Sequence, residues 1–331
     1  MQPYEQLEVN YAKHVNTQHA CVVNTGTAAL HLSIEVLKIT EKLPYDTQVI
    51  VPDFTMYASG LAVRYANLTP VFIDCDDNLL IDLDKVEEHF KSNVNIQKTR
   101  ILMVTHVYGR VVDMDRVMDI AARYNLRVIE DACEAQGAYW NNKPIGSFDI
   151  GCFSFYRNKI IHAEEGGIIT SNDLQLIELA KDMRSMSFGT KHNYYHKQIG
   201  FNYRCTNSQA DMALKSLSNI KDNLTTRQEI ASVYNKIIPE QYQMPNNRKV
   251  IWVYDIRHPN AENIVFKLKE KNIAARHSFK PLSSQPLFNH WNVGKKATDM
   301  SKNVFYLNVN PKQTDYDIHD IGKVVNELLS M

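Results

Sequence analysis

The sequence predicts an α/β protein built on a mostly parallel sheet, followed by a smaller α+β unit. Short β-rich runs recur through the first half, amphipathic helical segments separate several of them, and the pattern changes after about residue 206. At roughly 150 residues per domain, 331 residues suggest about two. We expect a large domain over 1–206, a linker-helix region over 207–240 and a small domain over 241–331.

The runs, in order, are ACVVN (20–24), QVIVPD (48–53), TPVFID (69–74), RILMVTHVYG (100–109), LRVIEDA (126–132) and IGCFSFY (150–156), with another strand after Gly167. Between them, Leu30, Ile34 and Leu37 share a helical face, as do Val117, Ile120, Ala121 and Tyr124. Apolar strands alternating with helices belong in a parallel sheet covered on both sides. From 206, TNSQADMALKSLSNIKDNLTTRQEIASVYNKII reads as one long helix capped by Asn207 or Thr206. A strand-like KVIWVYDIRH, a helix-like AENIVFKLKEK, a Pro-containing stretch over 280–289 and an amphipathic segment over 316–329 complete the small unit.

Composition removes several function classes. Apolar residues make up 44% and charged residues 22%, so a large core can be buried and a disulfide scaffold or disordered tail is excluded. Lys plus Arg and Asp plus Glu are both 37, which gives no bulk attraction for nucleic acid or anionic membrane. A ligand must therefore be held by a local site. Zero net charge is also compatible with subunit association. Cys21, Cys75, Cys133, Cys152 and Cys205 form no C-x-x-C pair and have no His partner at metal-ligand spacing, so no metal is expected. The N-terminus lacks the basic and apolar regions of a signal peptide, and no run approaches a membrane span; a cytoplasmic protein is expected.

Open parallel sheets bind ligands at the carboxyl ends of their strands, and four places there stand out. Asn24-Thr25-Gly26-Thr27-Ala28-Ala29-Leu30 joins a strand end to a helix start, where free N–H groups and the macrodipole suit phosphate; it also reads as a helix capped by Thr27 or Thr25. Glu130 and Asp131 end an apolar strand, as turn residues or as partners for a cationic group. Ser154 lies on another strand and Lys159 follows it, where a lysine is ordinarily a solvated surface residue. Gly200-Phe201-Asn202-Tyr203-Arg204 precedes the linker helix and also reads as a loop packed beneath it. Together they supply a phosphate cradle, an anion, a hydroxyl and a lysine, a set that pyridoxal phosphate explains economically. Lys159 would form the Schiff base with its aldehyde, and Asp131 would keep its pyridine nitrogen protonated. Desolvation and neighbouring positive charge would free the lysine amine as nucleophile and proton shuttle.

Six collinear motifs, NTGTAAL, VPDFTMYAS with TPVFID, HVYG with DMD, VIEDACEAQGA, GCFSFYRNK with EEGG, and GFNYRCTNSQA, resemble the pyridoxal-phosphate-dependent nucleotide-sugar aminotransferases of the DegT/DnrJ/EryC1/StrS family, from about Tyr4 to the C-terminus. The resemblance implies fold type I: a large seven-stranded domain, a small C-terminal domain and a homodimer with shared active sites. It makes Lys159 the Schiff-base lysine and Asp131 the partner of the pyridine nitrogen. Glu134 takes a position often held by Gln that hydrogen-bonds the cofactor's 3-hydroxyl oxygen, and Met56 covers the ring face. Ser154 with Gly26, Thr27 and Ala28 forms the phosphate cradle, and Asn202 reaches the phosphate of the neighbouring subunit.

His162 and Glu164 stand where relatives often carry Thr and Gly, and the chain begins later than they do; both features bear on substrate contacts. The run Arg276 to Ser284 resembles enzymes that make 4-amino-4,6-dideoxy sugars such as perosamine or viosamine. The expected reaction is amino transfer from L-glutamate to the C4 keto group of a nucleotide-linked 4-keto-6-deoxyhexose. The alternatives are the same transfer at C3 and a non-catalytic sensor or regulator. Related sugar dehydratases replace the lysine by His, so Lys159 disfavours that chemistry.

Overall fold

Helices and strands alternate through the first half of the chain: α1 (Pro3–His14), β1 (His19–Val23), α2 (Gly26–Thr40), β2 (Gln48–Pro52), α3 (Tyr57–Tyr65), β3 (Thr69–Ile73), α4 (Leu83–Ser92), β4 (Thr99–Thr105), α5 (Met114–Tyr124) and β5 (Arg127–Asp131). A two-residue pair, β6 (Tyr139–Trp140) and β7 (Lys143–Pro144), precedes β8 (Ile150–Ser154), β9 (Gly167–Ser171) and α6 (Leu174–Arg184). Next come α7 (Asn207–Ser218), α8 (Ile220–Ile237), β10 (Val253–Arg257), α9 (Ala261–Glu270), β11 (Ala275–His277), α10 (Lys295–Asn303), β12 (Val304–Asn308) and α11 (Ile318–Leu329). The computed structural model describes residues 1–92, 96–189, 194–288, 294–309 and 317–330; residues 289 and 316, at the ends of two expected segments, lie outside them.

The large sheet has the order β1-β9-β8-β5-β4-β2-β3, and β9 alone runs against the other six strands. This is the predicted seven-stranded, mostly parallel α/β sheet. Its strands are rich in apolar residues because both faces are covered, and successive residues enter different cores. Leu102 and Val104 of β4 join one hydrophobic cluster while Ile101 and Met103 join the other; Val128 and Ile129 of β5 divide in the same way. The second face is covered by α2, with Ala28, Ala29, Leu30, Leu32, Ile34, Val36 and Leu37 all in its cluster.

The expected single helix after residue 206 is two helices. At Asn219 the backbone leaves the helical region (φ −102°, ψ 15°), and α8 starts afresh. Thr206 is the N-cap of α7: its hydroxyl accepts the Gln209 N–H, and Gln209 Oε1 accepts the Thr206 N–H at 3.0 Å. A three-stranded antiparallel sheet, β10-β12-β11, packs with α8, α9 and α11 around Tyr234, Tyr254, Leu268, Phe305 and Val325. Trp252, Val253 and Val304 belong instead to the cluster of the large sheet, so the cores meet beside the carboxyl ends of the large-sheet strands. Among the described residues, no helix is long and apolar enough to cross a membrane.

Candidate active site

The Gly26 turn is fixed from both sides. Thr25 is extended (φ −156°); its Oγ1 accepts the Ala28 N–H at 3.0 Å and its carbonyl accepts the Ala29 N–H at 3.1 Å, so Thr25 is the N-cap of α2. A Cβ on Gly26 would stand 2.7 Å from Ser154 Cβ, and one on Gly167 would stand 2.4 Å from the Thr25 carbonyl oxygen. The first turn of α2 therefore rests directly on the ends of β8 and β9. With two of its opening N–H groups taken by Thr25, those of Gly26 and Thr27 are left for a ligand beside the Ser154 hydroxyl.

Strand alternation separates the two acids at the end of β5. Glu130 is fully buried on one face, where its carboxylate accepts N–H groups from Gly146 and Phe148, both at 2.8 Å, and lies 3.3 Å from His106 Nε2. That is a structural role. Asp131 points to the other face, where its Oδ2 accepts the Ser59 hydroxyl at 2.8 Å and its Oδ1 the Cys133 N–H at 3.3 Å. Thr55 and Thr105 extend the hydroxyl network behind Ser59.

Lys159 is only 9% exposed, so the reading of a solvated surface lysine does not hold. The loop that carries it is clamped at both ends by buried Gln136, whose amide donates to the carbonyls of Ser154 and Ile161, both at 3.1 Å. Lys159 Nζ lies 4.0 Å from the centre of the Trp252 ring and 3.7 Å from Glu134 Oε1. An indole face and a carboxyl thus flank it, where a neighbouring positive charge had been expected. Glu134 Oε2 accepts the Tyr108 N–H at 3.1 Å, and Tyr108 is held at φ +54° to aim it. Burial raises the Glu134 carboxyl to about 7, against the opposing pull of Lys159 and the Tyr108 N–H; the nearby Asp131 carboxylate raises it further.

These groups surround one cavity of about 400 Å³. Gly26, Thr27, Met56, Asp131, Glu134, Ser154 and Lys159 all line it, while Ala28 lies in the helical turn behind. Met56, 52% exposed, stands at its rim as the residue before α3. Asn202 is exposed and bridges to Ser185, outside the cavity of its own chain. His162 turns toward Ser216 of α7 (3.2 Å), and Glu165, not Glu164, lines the cavity. Trp252, Phe279 and Tyr306 close the cavity from the small unit; sequence reading reached Phe279 only as part of the Arg276 to Ser284 run and missed Trp252 and Tyr306, the strand-like character of KVIWVYDIRH alone hinting at the former. Nor did it single out Ser59, Tyr108 or Gln136, whose importance depends on where the fold aims them. Among the described residues, no group of three or more His, Cys, Asp or Glu could hold a metal ion.

The donor set fits pyridoxal phosphate: a cradle too narrow for a Cβ, a lysine in a buried loop, a carboxylate held by two donors, and a buried Asn158 Oδ1 with no partner among the described residues. The six-parallel, one-antiparallel sheet with this site at its carboxyl edge defines an α/β aminotransferase of fold type I. The chain belongs to the DegT/DnrJ/EryC1/StrS aminotransferase family, whose model matches residues 2–326. That family is pyridoxal-phosphate-dependent and acts on sugars. The GDP-perosamine synthase of Caulobacter vibrioides is 33% identical over 299 residues, covering 86% of this chain and 78% of its own. The dTDP-3-amino-3,6-dideoxy-alpha-D-galactopyranose transaminase of Aneurinibacillus thermoaerophilus is 30% identical over 333 residues, covering 97% and 89%. The crystal structure of S. venezuelae DesV superposes with a TM-score of 0.89 at 25% identity, covering 100% of this chain and 90% of that one.

Proposed function

We propose that this aminotransferase holds pyridoxal phosphate in the Lys159 cavity and transfers an amino group from L-glutamate to the C4 keto group of a nucleotide-linked 4-keto-6-deoxyhexose. The observation that carries the reading is that Lys159 and Asp131, from different strand ends, line one cavity with the Gly26–Ser154 cradle. The likeness to GDP-perosamine synthase and the Arg276 to Ser284 run favour C4. The likeness to a 3-amino-3,6-dideoxy sugar transaminase supports C3 as the second reading.

When bound, pyridoxal phosphate supplies an aldehyde that condenses with amines and a ring that takes up electron density. This chain's residues do the rest. The N–H groups of Gly26 and Thr27 and the Ser154 hydroxyl would bind the phosphate. Asp131, positioned by Ser59 and the Cys133 N–H, would hold a proton on the ring nitrogen. Lys159 would hold the cofactor through Nζ and would hold or move a proton at that atom beside the substrate carbon. Trp252, Phe279 and Tyr306 exclude water above it, and Arg276 offers a cation to an anionic substrate group. Asn202, exposed beyond its own cavity, is assigned to the phosphate of a second copy in a homodimer.

The test is to load the purified protein with pyridoxal phosphate and add L-glutamate. A band near ~420 nm should move to about 330 nm. Amino-sugar product should then appear by mass with a 4-keto-6-deoxy sugar nucleotide. Cofactor binding without the glutamate shift would overturn the transfer reaction, and amination only of 3-keto substrates would replace C4 by C3.

A further inference from the structure

Five charged side chains line the cavity; Glu165 and Arg276 are exposed, while Asp131, Glu134 and Lys159 are buried, and the fold treats the two buried acids differently. Asp131 has a donor on each oxygen, the Ser59 hydroxyl and the Cys133 N–H. Glu134 has a single backbone N–H, from Tyr108, on Oε2. Its other oxygen lies 3.7 Å from Lys159 Nζ, an ion-pair distance longer than a direct hydrogen bond. The groups that face Glu134 are Lys159 from the loop after β8, Asp131 from the end of β5, Tyr108 from the turn after β4 and Tyr306 from β12. Only the first is a cation. Arg276 of β11, which also acts on Tyr306, is exposed. Among the three buried charged groups one negative charge is therefore in excess, and it is least stable on the acid with fewer donors.

We infer that Glu134 is the neutral acid of this cavity, a positioning residue that donates a hydrogen bond from Oε1 to an anionic oxygen of the bound ligand, while Asp131 remains the carboxylate. A hydroxypyridine phosphate carries such an oxygen on its ring, so this rests on the cofactor reading for the identity of the ligand. An ionised Glu134 would repel that oxygen, so ligand entry takes up one proton from solvent onto Glu134. Tyr108, strained at φ +54°, serves this by occupying Oε2 and leaving Oε1 to bear the proton. The buried thiol of Cys133, between the two acids in sequence, offers no competing anion, because burial pushes it up.

Two measurements test this on the full chain. Pyridoxine 5′-phosphate, which lacks an aldehyde and so leaves Lys159 chemistry aside, is titrated into wild type and Glu134→Gln from about pH 6 to about pH 9. A neutral acid is lost as pH rises. Wild-type affinity should therefore fall by about tenfold per pH unit above about 7, relative to the variant, whose amide keeps both the Tyr108 acceptor and a donor. Parallel profiles overturn the inference. In the second measurement, without ligand, the infrared C=O stretch of a protonated carboxyl should titrate out over the same range in wild type and in Asp131→Asn, and be absent from Glu134→Gln. Its loss from Asp131→Asn in place of Glu134→Gln would reverse the two roles and overturn the assignment. Should neither protein bind the phosphate at any pH, the cofactor reading fails, and the infrared titration still decides which acid carries the proton.

Discussion

Gly26→Ala tests the cradle most directly because its cost can be worked from the coordinates. The added methyl would lie 2.7 Å from Ser154 Cβ, 3.2 Å from Ser154 Oγ and 3.3 Å from Cys133 Sγ. Ordinary contact begins at 3.4 Å, so α2 and the end of β8 must separate by at least 3.4 − 2.7 = 0.7 Å. Neither partner gives easily: the Ser154 carbonyl is held by Gln136, and Ala132 and Cys152 are joined through a backbone bond of 2.9 Å. Overpacking of this kind costs about 1–3 kcal/mol. At roughly 2–4 °C per kcal/mol in chains of 150–250 residues, melting should fall by a few degrees. The effect on binding should be larger. Charge-assisted hydrogen bonds to phosphate are worth about 1.5–3 kcal/mol each, so misaligning even one weakens binding by roughly 10- to 150-fold. The assay compares pyridoxal phosphate with pyridoxal, which has the same ring and aldehyde but no phosphate. The variant should lose affinity for the former by that factor and bind the latter as wild type does. Equal losses for both ligands, or none for either, would refute the assignment of this turn to phosphate.

Lys159→Ala should abolish turnover while the cofactor still binds noncovalently; full activity in that variant contradicts the proposed role. Asp131→Asn should slow proton abstraction in single-turnover kinetics, and an unchanged rate would mean that the ring nitrogen pairs elsewhere. Arg110→Met should destabilise the fold by about 3–5 kcal/mol in urea unfolding, because Arg110 and Asp255, 2.9 Å apart, are both fully buried and the carboxylate would keep only Arg248. A change below about 1 kcal/mol would show that the pair contributes little.

Legibility in the sequence followed the range of the interactions. The strands were readable because a sheet buried on both faces writes itself as apolar runs, and the chemistry-bearing residues because Asp131 and Ser154 each end a strand within one of those runs and Lys159 follows closely. Which of Glu130 and Asp131 served the site was not readable until the strand's pleat fixed a face for each. The break at Asn219 was hidden because its neighbours Ile220 and Ser218 both suit helix, and only packing decides that α8 turns toward the small sheet. Trp252 and Tyr306 lie 93 and 147 residues beyond Lys159, and no spacing rule connects them to it.

The lysine is nonetheless set as much from that distant side as from its own strand. Arg227 of α8 is buried, and burial lowers its guanidinium to about 10. Its fork donates to the carbonyls of Trp252 at 2.8 Å, Asn158 at 3.3 Å and Lys159 at 3.4 Å. The Trp252 indole N–H also donates to the Asn158 carbonyl, at 3.1 Å. One planar cation thus ties the strand leading to the cavity's roof to the loop that carries its amine, and does so through backbone acceptors that leave the Lys159 side chain free. A lysine at position 227, with a single point of charge, could not span those acceptors in the same geometry. The small unit therefore does more than cover the site: through Arg227 it fixes where Nζ stands relative to Asp131 and Glu134, and the division of labour between those two acids depends on that placement.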